Sequence, residues 1–410
     1  MRLLCLLERV VIVLCLQLLS HKGIITVLEG TQRIRIIKLK VTLHLPLNFW
    51  RPFFKVIDMK IKVYFSVVFV YLILIAGTVE AATVTVSKNG EANYTIIQEA
   101  INNVKDGDTI LVYSGNFTEN VIVNKSVSIK SNSGNPDDTI IQASNPGEHI
   151  FNVTEDDVTI SGFKITGASN IVTSPTAGVH LEGVNNSIIN NNKLSNNVIG
   201  IDLQSSDHNM LSKNTVSDNE RGISLTNSNG NDLINNDAFN NRFGIYFWGS
   251  KNNILSYNNA SSNEEDGIWI EDGSNNNTLR NNMVSNSNDD GILLTESSNN
   301  NTMSGNNVTL SLVGVQITDS NNNTVKNNFI SNNSRIGISI IRNSSNNTVK
   351  DNFLSNNSES IVTESSTNQI YNNKIKEGKI HDTNASQIAF ICPFLTVVIF
   401  GIAVIFLRKE

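Results

Sequence analysis

The chain has 410 residues with a formal net charge of -6, and 17% of its residues are charged. This balance gives no basic face for nucleic acid, and the length exceeds that of one ordinary globular core. A repeat architecture fits such a length, because it grows by adding units without enlarging its core. The three cysteines lie outside residues 82–380, so the sequence predicts no disulfide and no Cys-x-x-Cys metal pattern in that region.

Two segments precede any repeat. Residues 1–58 lack the later pattern, which favours an over-long gene start, the alternative being a second membrane-proximal segment. Met59–Lys62 is a short basic stretch, Val63–Ala76 is apolar, and Val79–Ala81 resembles a small-x-small cleavage site. We therefore expect residues 59–81 to be a signal peptide or N-terminal membrane segment that starts at an internal Met.

A short helix is expected near the beginning of the repeat region. After a first strand at Thr83–Val86, the stretch Tyr94–Val104 places its apolar residues on one helical face. The helix would cover the open end of a repeat core, which otherwise offers strands to other chains. The prediction is an N-terminal cap at residues 83–104 of a domain that spans residues 82–380.

Seven Gly-(Ile/Val) steps follow one another at intervals of 22 to 24 residues. Each interval holds three short apolar pieces separated by Asn, Ser and Asp, which is too little for a helix and typical of strands. Blades of WD and kelch propellers need longer repeats, and leucine-rich repeats need more Leu. The pattern predicts an all-β, right-handed parallel β-helix with three strands per coil. The steps begin at Gly200, Gly222, Gly244, Gly267, Gly291, Gly314 and Gly337.

Equivalent residues of successive coils should stack about 4.8 Å apart. The Ile of each step and the Leu, Phe or Ile two residues later would fill the interior, while the residues between them point outward. One Asn per coil is expected at a corner with left-handed backbone, its amide bonding to its own copy. This column contains Asn192, Asn214, Asn236, Asn258, Asn282, Asn306, Asn328 and Asn352.

The C-terminal end carries a second hydrophobic segment. Residues 388–407 form an apolar run long enough to cross a bilayer, and Arg408 and Lys409 follow it. We predict a linker at 381–387, a transmembrane helix at 388–407 and a cytoplasmic tail at 408–410, with the repeats outside the cell. The alternative is a buried helix of a soluble domain.

The stretches Ile97–Ile101, Gly107–Ile110 and Tyr113–Phe117 resemble the opening of β-helix proteins of the NosD-like, pectin-lyase-like superfamily. With the repeats, the resemblance covers residues 83 to about 380. It implies the right-handed parallel β-helix, and its members include polysaccharide lyases, hydrolases and epimerases. The Asn-rich repeats between two hydrophobic segments are also similar to surface proteins of methanogenic archaea, although Cys392-Pro393-Phe394 stands where those carry a Pro-Gly-Phe sorting signal.

A copper site is one function that the NosD resemblance raises. Copper prefers His, Met and Cys ligands. The four histidines of the repeat region are scattered, and none shares a column with a second His or Met. His208 and Met210 lie two residues apart, which does not complete a site. The histidines are His149, His180, His208 and His381.

An acidic and aromatic patch is the second functional candidate. Aligned on the Gly steps, Tyr246 stacks with Trp269 and Trp248 with Glu271, in columns expected to be exposed. Exposed rings and nearby carboxylates are what sugar-binding or sugar-cleaving sites use. The adjacent acids are candidates for catalysis, for a calcium site at Asp266 and Asp290, or for simple solvated turns. These acids are Glu265, Asp266, Asp289 and Asp290, with Arg221 and Arg242 placed in turns one or two coils earlier.

The sequence favours an exported, membrane-anchored surface protein that is structural, shields the cell, or binds glycans or ions. Its expected partners are the membrane, cell-surface glycans and other envelope proteins. The alternative is an enzyme acting on polysaccharides. No cofactor is expected apart from possible calcium, and glycosylation triplets fit an exported chain. The candidate acceptors are Asn116, Asn152, Asn276, Asn322 and Asn346.

Overall fold

The computed structural model describes the repeat region and little else: residues 81–170, 175–377 and 380–382. The predictions for the early segments, the transmembrane helix and the tail lie outside the described residues. The last described strand, Ile380–Asp382, ends two residues beyond the predicted domain boundary at 380.

The predicted all-β parallel β-helix is confirmed, because equivalent strands of successive coils pair in parallel along three faces. Sheet 1 has 13 strands in coil order. They are β1 Thr83–Val86, β2 Thr109–Val112, β5 Ser128–Ser131, β8 Thr159–Ser161, β11 Ile188–Asn190, β14 Met210–Ser212, β17 Asp232–Ile234, β20 Ile254–Ser256, β22 Thr278–Arg280, β25 Thr302–Ser304, β28 Thr324–Lys326, β31 Thr348–Lys350 and β34 Gln369–Tyr371.

Sheet 2 forms the next face and consists of a six-stranded and a five-stranded part. Asn259 joins the two parts by single bridges to Asp237 and Met283. The strands are β3 Gly115–Thr118, β6 Thr139–Gln142, β9 Lys164–Thr166, β12 Lys193–Ser195, β15 Thr215–Ser217, β18 Asp237–Phe239, β23 Met283–Ser285, β26 Asn307–Thr309, β29 Phe329–Ser331, β32 Phe353–Ser355 and β35 Lys374–Ile375.

Sheet 3 has 12 strands and carries the Gly-(Ile/Val) steps. Its longer strands run to six residues and hold the candidate site. They are β4 Val121–Val123, β7 Phe151–Val153, β10 Ala177–Glu182, β13 Ile199–Gln204, β16 Arg221–Thr226, β19 Phe243–Trp248, β21 Ile268–Glu271, β24 Asp290–Leu294, β27 Val313–Thr318, β30 Ile336–Ile341, β33 Glu359–Thr363 and β36 Ile380–Asp382.

The core is a stack of matched apolar residues. The Ile column and the Leu, Phe or Ile column predicted for sheet 3 are both buried, and each residue pairs in register with its counterparts. Ile223, for example, lies opposite Ile245 and Ile201. Apolar burial along the whole stack supplies the main stabilising term, since each coil covers the next.

The glycine of each step allows the coils to approach closely at one corner. A Cβ added at Gly244 would lie 2.5 Å from the carbonyl oxygen of Gly267 and 2.6 Å from the Asn263 side-chain nitrogen. Any larger residue would push these backbone segments apart. The repeat of Gly therefore follows from backbone packing.

Three buried ladders of Asn run along the corners, where the sequence predicted one. In each ladder the side-chain oxygen accepts the backbone N–H of the counterpart Asn one coil earlier, as Asn258 Oδ1 does from Asn236 at 2.9 Å. The amide nitrogen donates to a backbone carbonyl, so that buried polar groups of neighbouring coils satisfy one another. A second ladder includes Asn231, Asn253, Asn277 and Asn301, and a third includes Asn197, Asn219, Asn241 and Asn263.

The predicted backbone of the first ladder was wrong by one position. Left-handed φ values belong to the exposed residue before each ladder Asn, such as Asn235 at 55° and Asn281 at 54°. The ladder Asn itself is buried, as Asn236 and Asn282 show. The side-chain ladder and the tight turn are therefore made by neighbouring residues.

Among the described residues one short α-helix, α1, covers Ile97–Asn103 and buries Ile97, Ala100 and Ile101 against the first coils. It is shorter than the predicted stretch, and Ile96 precedes it as the N-cap with 38% exposure. Glu119 supplies the missing capping group, because its carboxylate accepts the N–H groups of Ile97 and Gln98 at 3.1 and 3.2 Å.

Candidate functional site

The patch lies on sheet 3, where β19 and β21 are adjacent. Tyr246 pairs in register with Trp269, and Trp248 with Glu271, as aligned from the sequence. Because side chains alternate along a strand, Tyr246 and Trp248 project on the side opposite the core residues Ile245 and Phe247. Four functional candidates therefore share one outer face.

The expected exposure of these rings was only partly correct. Trp248 is 46% exposed, whereas Tyr246 is 2% exposed and Trp269 is half-buried. Neighbouring side chains cover Tyr246, which the strand alternation could not show. The accessible aromatic surface is therefore centred on Trp248, with part of Trp269 beside it.

Three aromatic rings pack together under this surface. The rings of Phe243 and Tyr246 each lie with their centroid 5.2 Å from that of Trp269, and Tyr246 meets Trp269 edge to face. The guanidinium carbon of Arg221 lies 4.3 Å from the Tyr246 ring centroid, a cation–π distance. Arg221 begins β16 in the strand column of Phe243, so its predicted placement in a turn was wrong.

Hydrogen bonds fix the orientation of each ring. The Tyr246 hydroxyl donates to Glu271, and the Trp248 indole N–H donates to Asp272. The Trp269 indole N–H donates to Thr295 Oγ1 at 3.2 Å. Because both indoles have their polar edges engaged, their faces are held in place before any ligand arrives.

Asp266 and Asp290 occupy equivalent places in neighbouring coils, and both are buried. The interpretation of these two as solvated turn residues was therefore wrong. Asp266 Oδ1 accepts the backbone N–H of Asp290 at 3.0 Å, and Gln316 donates its amide to Asp290 Oδ2 at 3.0 Å. Desolvation raises the pKa of Asp266 to about 8 despite the hydrogen bond from Asp290. This carboxyl is thus largely protonated at neutral pH.

The remaining acids are paired or partly desolvated. Arg242 donates from Nε to Glu265 at 2.7 Å and from Nη1 to Glu220 at 2.5 Å, so this arginine reaches across coils to the patch. Desolvation raises the pKa of Asp289. It also raises the pKa of Glu271, although the hydrogen bond from Tyr246 acts to lower it. The patch therefore contains carboxyl groups with raised pKa values. It also contains two arginines, Arg221 and Arg242, whose contacts with it the sequence did not predict.

The histidines are less scattered than the sequence suggested. The rings of His149 and His180 stack with centroids 4.0 Å apart and planes 8° from parallel. His149 Nδ1 accepts the N–H of Ala177 at 3.0 Å, and His180 Nδ1 lies 2.9 Å from Asp202 Oδ2. Desolvation lowers the pKa of His149 to about 4, and His180 contributes to the lowering.

The described residues contain neither a group of metal-binding side chains nor a membrane-spanning helix. Among residues 81–170, 175–377 and 380–382, no three or more His, Cys, Asp or Glu side chains are grouped to hold a metal ion. Within the same part of the chain, no helix has the length and apolar character needed to span a membrane.

The candidate glycosylation acceptors differ in accessibility. Asn116, Asn276, Asn322 and Asn346 are exposed. Asn152 is half-buried in β7, and its side-chain oxygen is enclosed without a hydrogen-bond partner among the described residues. The structure thus separates four reachable acceptors from one that sits in the middle of a sheet.

Comparison with solved structures shows the same fold in proteins of low identity. The A-module of the mannuronan C-5 epimerase AlgE6 of Azotobacter vinelandii superposes with a TM-score of 0.60 at 14% identity, covering 70% of this chain and 90% of that one. The AlgE4 A-module gives 0.57 at 14% identity, covering 71% and 95%. The Dettilon tailspike protein gives 0.55 at 16% identity, covering 66% and 62%. At such identities the likeness shows the fold alone.

Comparison of sequences places the chain in a family. A cell surface glycoprotein of Methanothermus fervidus is 36% identical over 124 residues, which is 30% of this chain but only 18% of that relative. The family model described as "Periplasmic copper-binding protein (NosD)" matches residues 101–286 and 227–387. Since these matches together cover more than half of the 410 residues, the protein belongs to the NosD family.

Proposed function

We propose that this protein is an exported, membrane-anchored cell-surface β-helix protein that binds carbohydrate through the patch on sheet 3 without catalysing a reaction. Residues 59–81 would direct export, and residues 388–407 would anchor the chain. The similarity to a cell surface glycoprotein supports the surface location. The repeats would then form a rigid body presented outside the cell.

The oriented, exposed ring of Trp248 is the observation that carries the binding proposal. Sugars bind aromatic faces through their apolar C–H surface, and a ring that is already fixed loses little entropy on binding. Trp248 offers such a face, since its N–H is held by Asp272 and its register partner is Glu271. Carboxylates at the rim of the ring would accept hydrogen bonds from sugar hydroxyl groups.

Three contacts argue against catalysis by the acids. Asp266 is buried with one oxygen already accepting a backbone N–H, so little of this carboxyl is accessible to a substrate. Glu265 is paired with Arg242, and Glu271 accepts the Tyr246 hydroxyl. These interactions stabilise the patch and keep its carboxylates in fixed positions.

The family description names copper, but the described histidines do not fit a copper site. A metal ion bound by imidazole lies close to the ring plane at about 2 Å from nitrogen. The nearly parallel rings of His149 and His180, 4.0 Å apart, share no such position. Their Nδ1 atoms are also engaged by Ala177 and Asp202. We therefore derive no copper chemistry from these residues.

A polysaccharide-active enzyme is the second candidate, favoured by one observation. The pKa of Glu271 is raised by desolvation, which is the direction of shift that favours a general acid. Glu271 also lies in register with the exposed Trp248, where a sugar would sit. Release of products from a bound glycan would support this candidate over simple binding.

A glycan array with matched variants tests the proposal. We expect Trp248→Ala to lose binding about tenfold, or about 1.4 kcal/mol, because the stacking face is removed. Tyr257→Ala removes a ring that is 58% exposed but lies away from sheet 3, so it should bind as the parent does. Equal binding by both variants would remove the patch from consideration. Surface biotinylation of intact cells tests the location separately, and thermal unfolding with added Ca²⁺ tests calcium at Asp266 and Asp290.

A further inference from the structure

Four consecutive coils carry an Asn-x-Thr triplet at the same place on the corner before sheet 1. The Thr residues pair in register, Thr278 with Thr302, Thr302 with Thr324, and Thr324 with Thr348. The Asn residues two positions earlier therefore also form a row. We call these four the acceptor row: Asn276, Asn300, Asn322 and Asn346.

The triplet is not an automatic product of the repeat. In the preceding coil, Asn252 and Asn253 hold the same two corner positions, but Ile254 follows them in place of Thr. Earlier coils place Asp232 and Met210 at that point. The hydroxyl that completes a glycosylation triplet is thus present in four successive coils and absent from the four before them.

The acceptor row is chemically available along its whole length. All four Asn are exposed, with left-handed φ values between 56° and 61° that turn the chain outward. Their side-chain amides make no hydrogen bond to another described residue. The next residue in each triplet behaves differently, because Asn277 and Asn301 are buried and donate their amides to backbone carbonyls.

We propose that the acceptor row is an N-glycosylation site of this protein and that it carries oligosaccharides on alternate coils. The donor would be a phosphate-activated oligosaccharide. A bond forms between the Asn side-chain nitrogen and the anomeric carbon, the bond from that carbon to phosphate oxygen breaks, and the amide gives up one proton. The inference rests on the proposed surface location, where such modification is found.

The coil spacing sets the alternation. Acceptors in adjacent coils lie about 4.8 Å apart, while those two coils apart lie about 10 Å apart. A pyranose with its ring substituents is wider than the shorter spacing, so sugars on adjacent coils would clash near their attachment points. An occupied Asn300 therefore blocks Asn276 and Asn322 and leaves Asn346 free to react.

One tryptic peptide reports this coupling. Asn281–Lys326 contains no internal Lys or Arg and includes both Asn300 and Asn322. In protein isolated from its native cells, site-resolved glycopeptide mass spectrometry should find this peptide with a glycan at Asn300 or at Asn322, and never at both. Peptides carrying both glycans would overturn the alternation.

A pair of variants separates the chemistry from the fold. Thr302→Val keeps a β-branched side chain in the strand but removes the triplet hydroxyl, whereas Thr302→Ser keeps the triplet. We expect Thr302→Val to lose all glycan at Asn300 and to raise the occupancy of Asn322, while Thr302→Ser keeps the parental pattern. Unchanged occupancy of Asn322 would refute the coupling.

Labelling of intact cells keeps the two proposals apart. If lysines of the repeats are biotinylated on intact cells but the acceptor row carries no glycan, the inference is overturned and the surface location stands. If the repeats are not labelled and the row is bare, both are overturned.

Discussion

Replacing one ladder residue tests how the coils are held together. The side chain of Asn258 accepts the backbone N–H of Asn236 and donates its amide to the Leu233 carbonyl at 2.9 Å and to Asn282 Oδ1 at 3.1 Å. Asn258→Asp keeps the shape and the acceptor but turns the donor into an oxygen. Two buried acceptors then lose a donor, each at about 1–3 kcal/mol, so we expect a loss of about 2–6 kcal/mol.

The exposed Asn235 in the same corner supplies the control. It has the left-handed φ of 55° that Asp tolerates, so Asn235→Asp should change the unfolding free energy by less than about 0.5 kcal/mol. Urea denaturation followed by circular dichroism measures both variants. Burial raises the pKa of the new carboxyl in Asn258→Asp above the ordinary Asp value, so as the pH falls from 7 the carboxyl takes up a proton, donates again, and the difference in stability between the two variants should narrow. Equal stability of the two variants at pH 7 would refute the ladder as a stabilising element.

Three further outcomes are expected. Ile268→Asp places a charge in the dry core and should lower the unfolding free energy by roughly 4 kcal/mol or more, whereas Met283→Asp, on an exposed column, should lower it little. Similar losses of unfolding free energy in urea denaturation would contradict the assignment of inner and outer faces. Because the pKa of Asp266 is raised to about 8, the stability that its protonated carboxyl contributes is fully present below about pH 4 and is lost as the pH rises through 8. Asp266→Asn should therefore melt at a higher temperature than the parent at pH 9. Melting temperatures that change with pH in the same way in both proteins would contradict this. Because the pKa of His149 is lowered to about 4, the parent should lose stability as the pH falls from 6.5 to 4. His149→Gln should lose less stability over the same range. An equal loss in both proteins would show that His149 is not a buried neutral ring.

The fold was predictable because the close packing of the coils requires particular residue types at fixed intervals. Glycine at 22 to 24 residue intervals marks the corner where coils approach, and the Ile or Val directly after each Gly marks the core. One Asn ladder was visible for the same reason. The other two were missed because their Asn residues, such as Asn253 and Asn241, stand among many surface Asn that share no such role.

The candidate site was only half predictable. Register placed Tyr246 beside Trp269, but the burial of Tyr246 depends on Arg221, whose long side chain reaches from the previous coil. The contact of His149 with His180 was invisible because His149 precedes its strand and follows an irregular segment. Side-chain reach and irregular backbone are the features that a column alignment leaves out.

The ladders also make the protein adjustable as a spacer. Each coil presents the same residue types to the coil above and to the coil below, so a whole coil can be inserted or removed while every interface keeps its matching partner. Such a change alters the reach of the rod in steps of about 4.8 Å and leaves its cross-section the same. Twelve such steps separate the 13 strands of sheet 1, a span of about 58 Å. A β-helix built in this way can change its length in small equal steps by changing its number of coils.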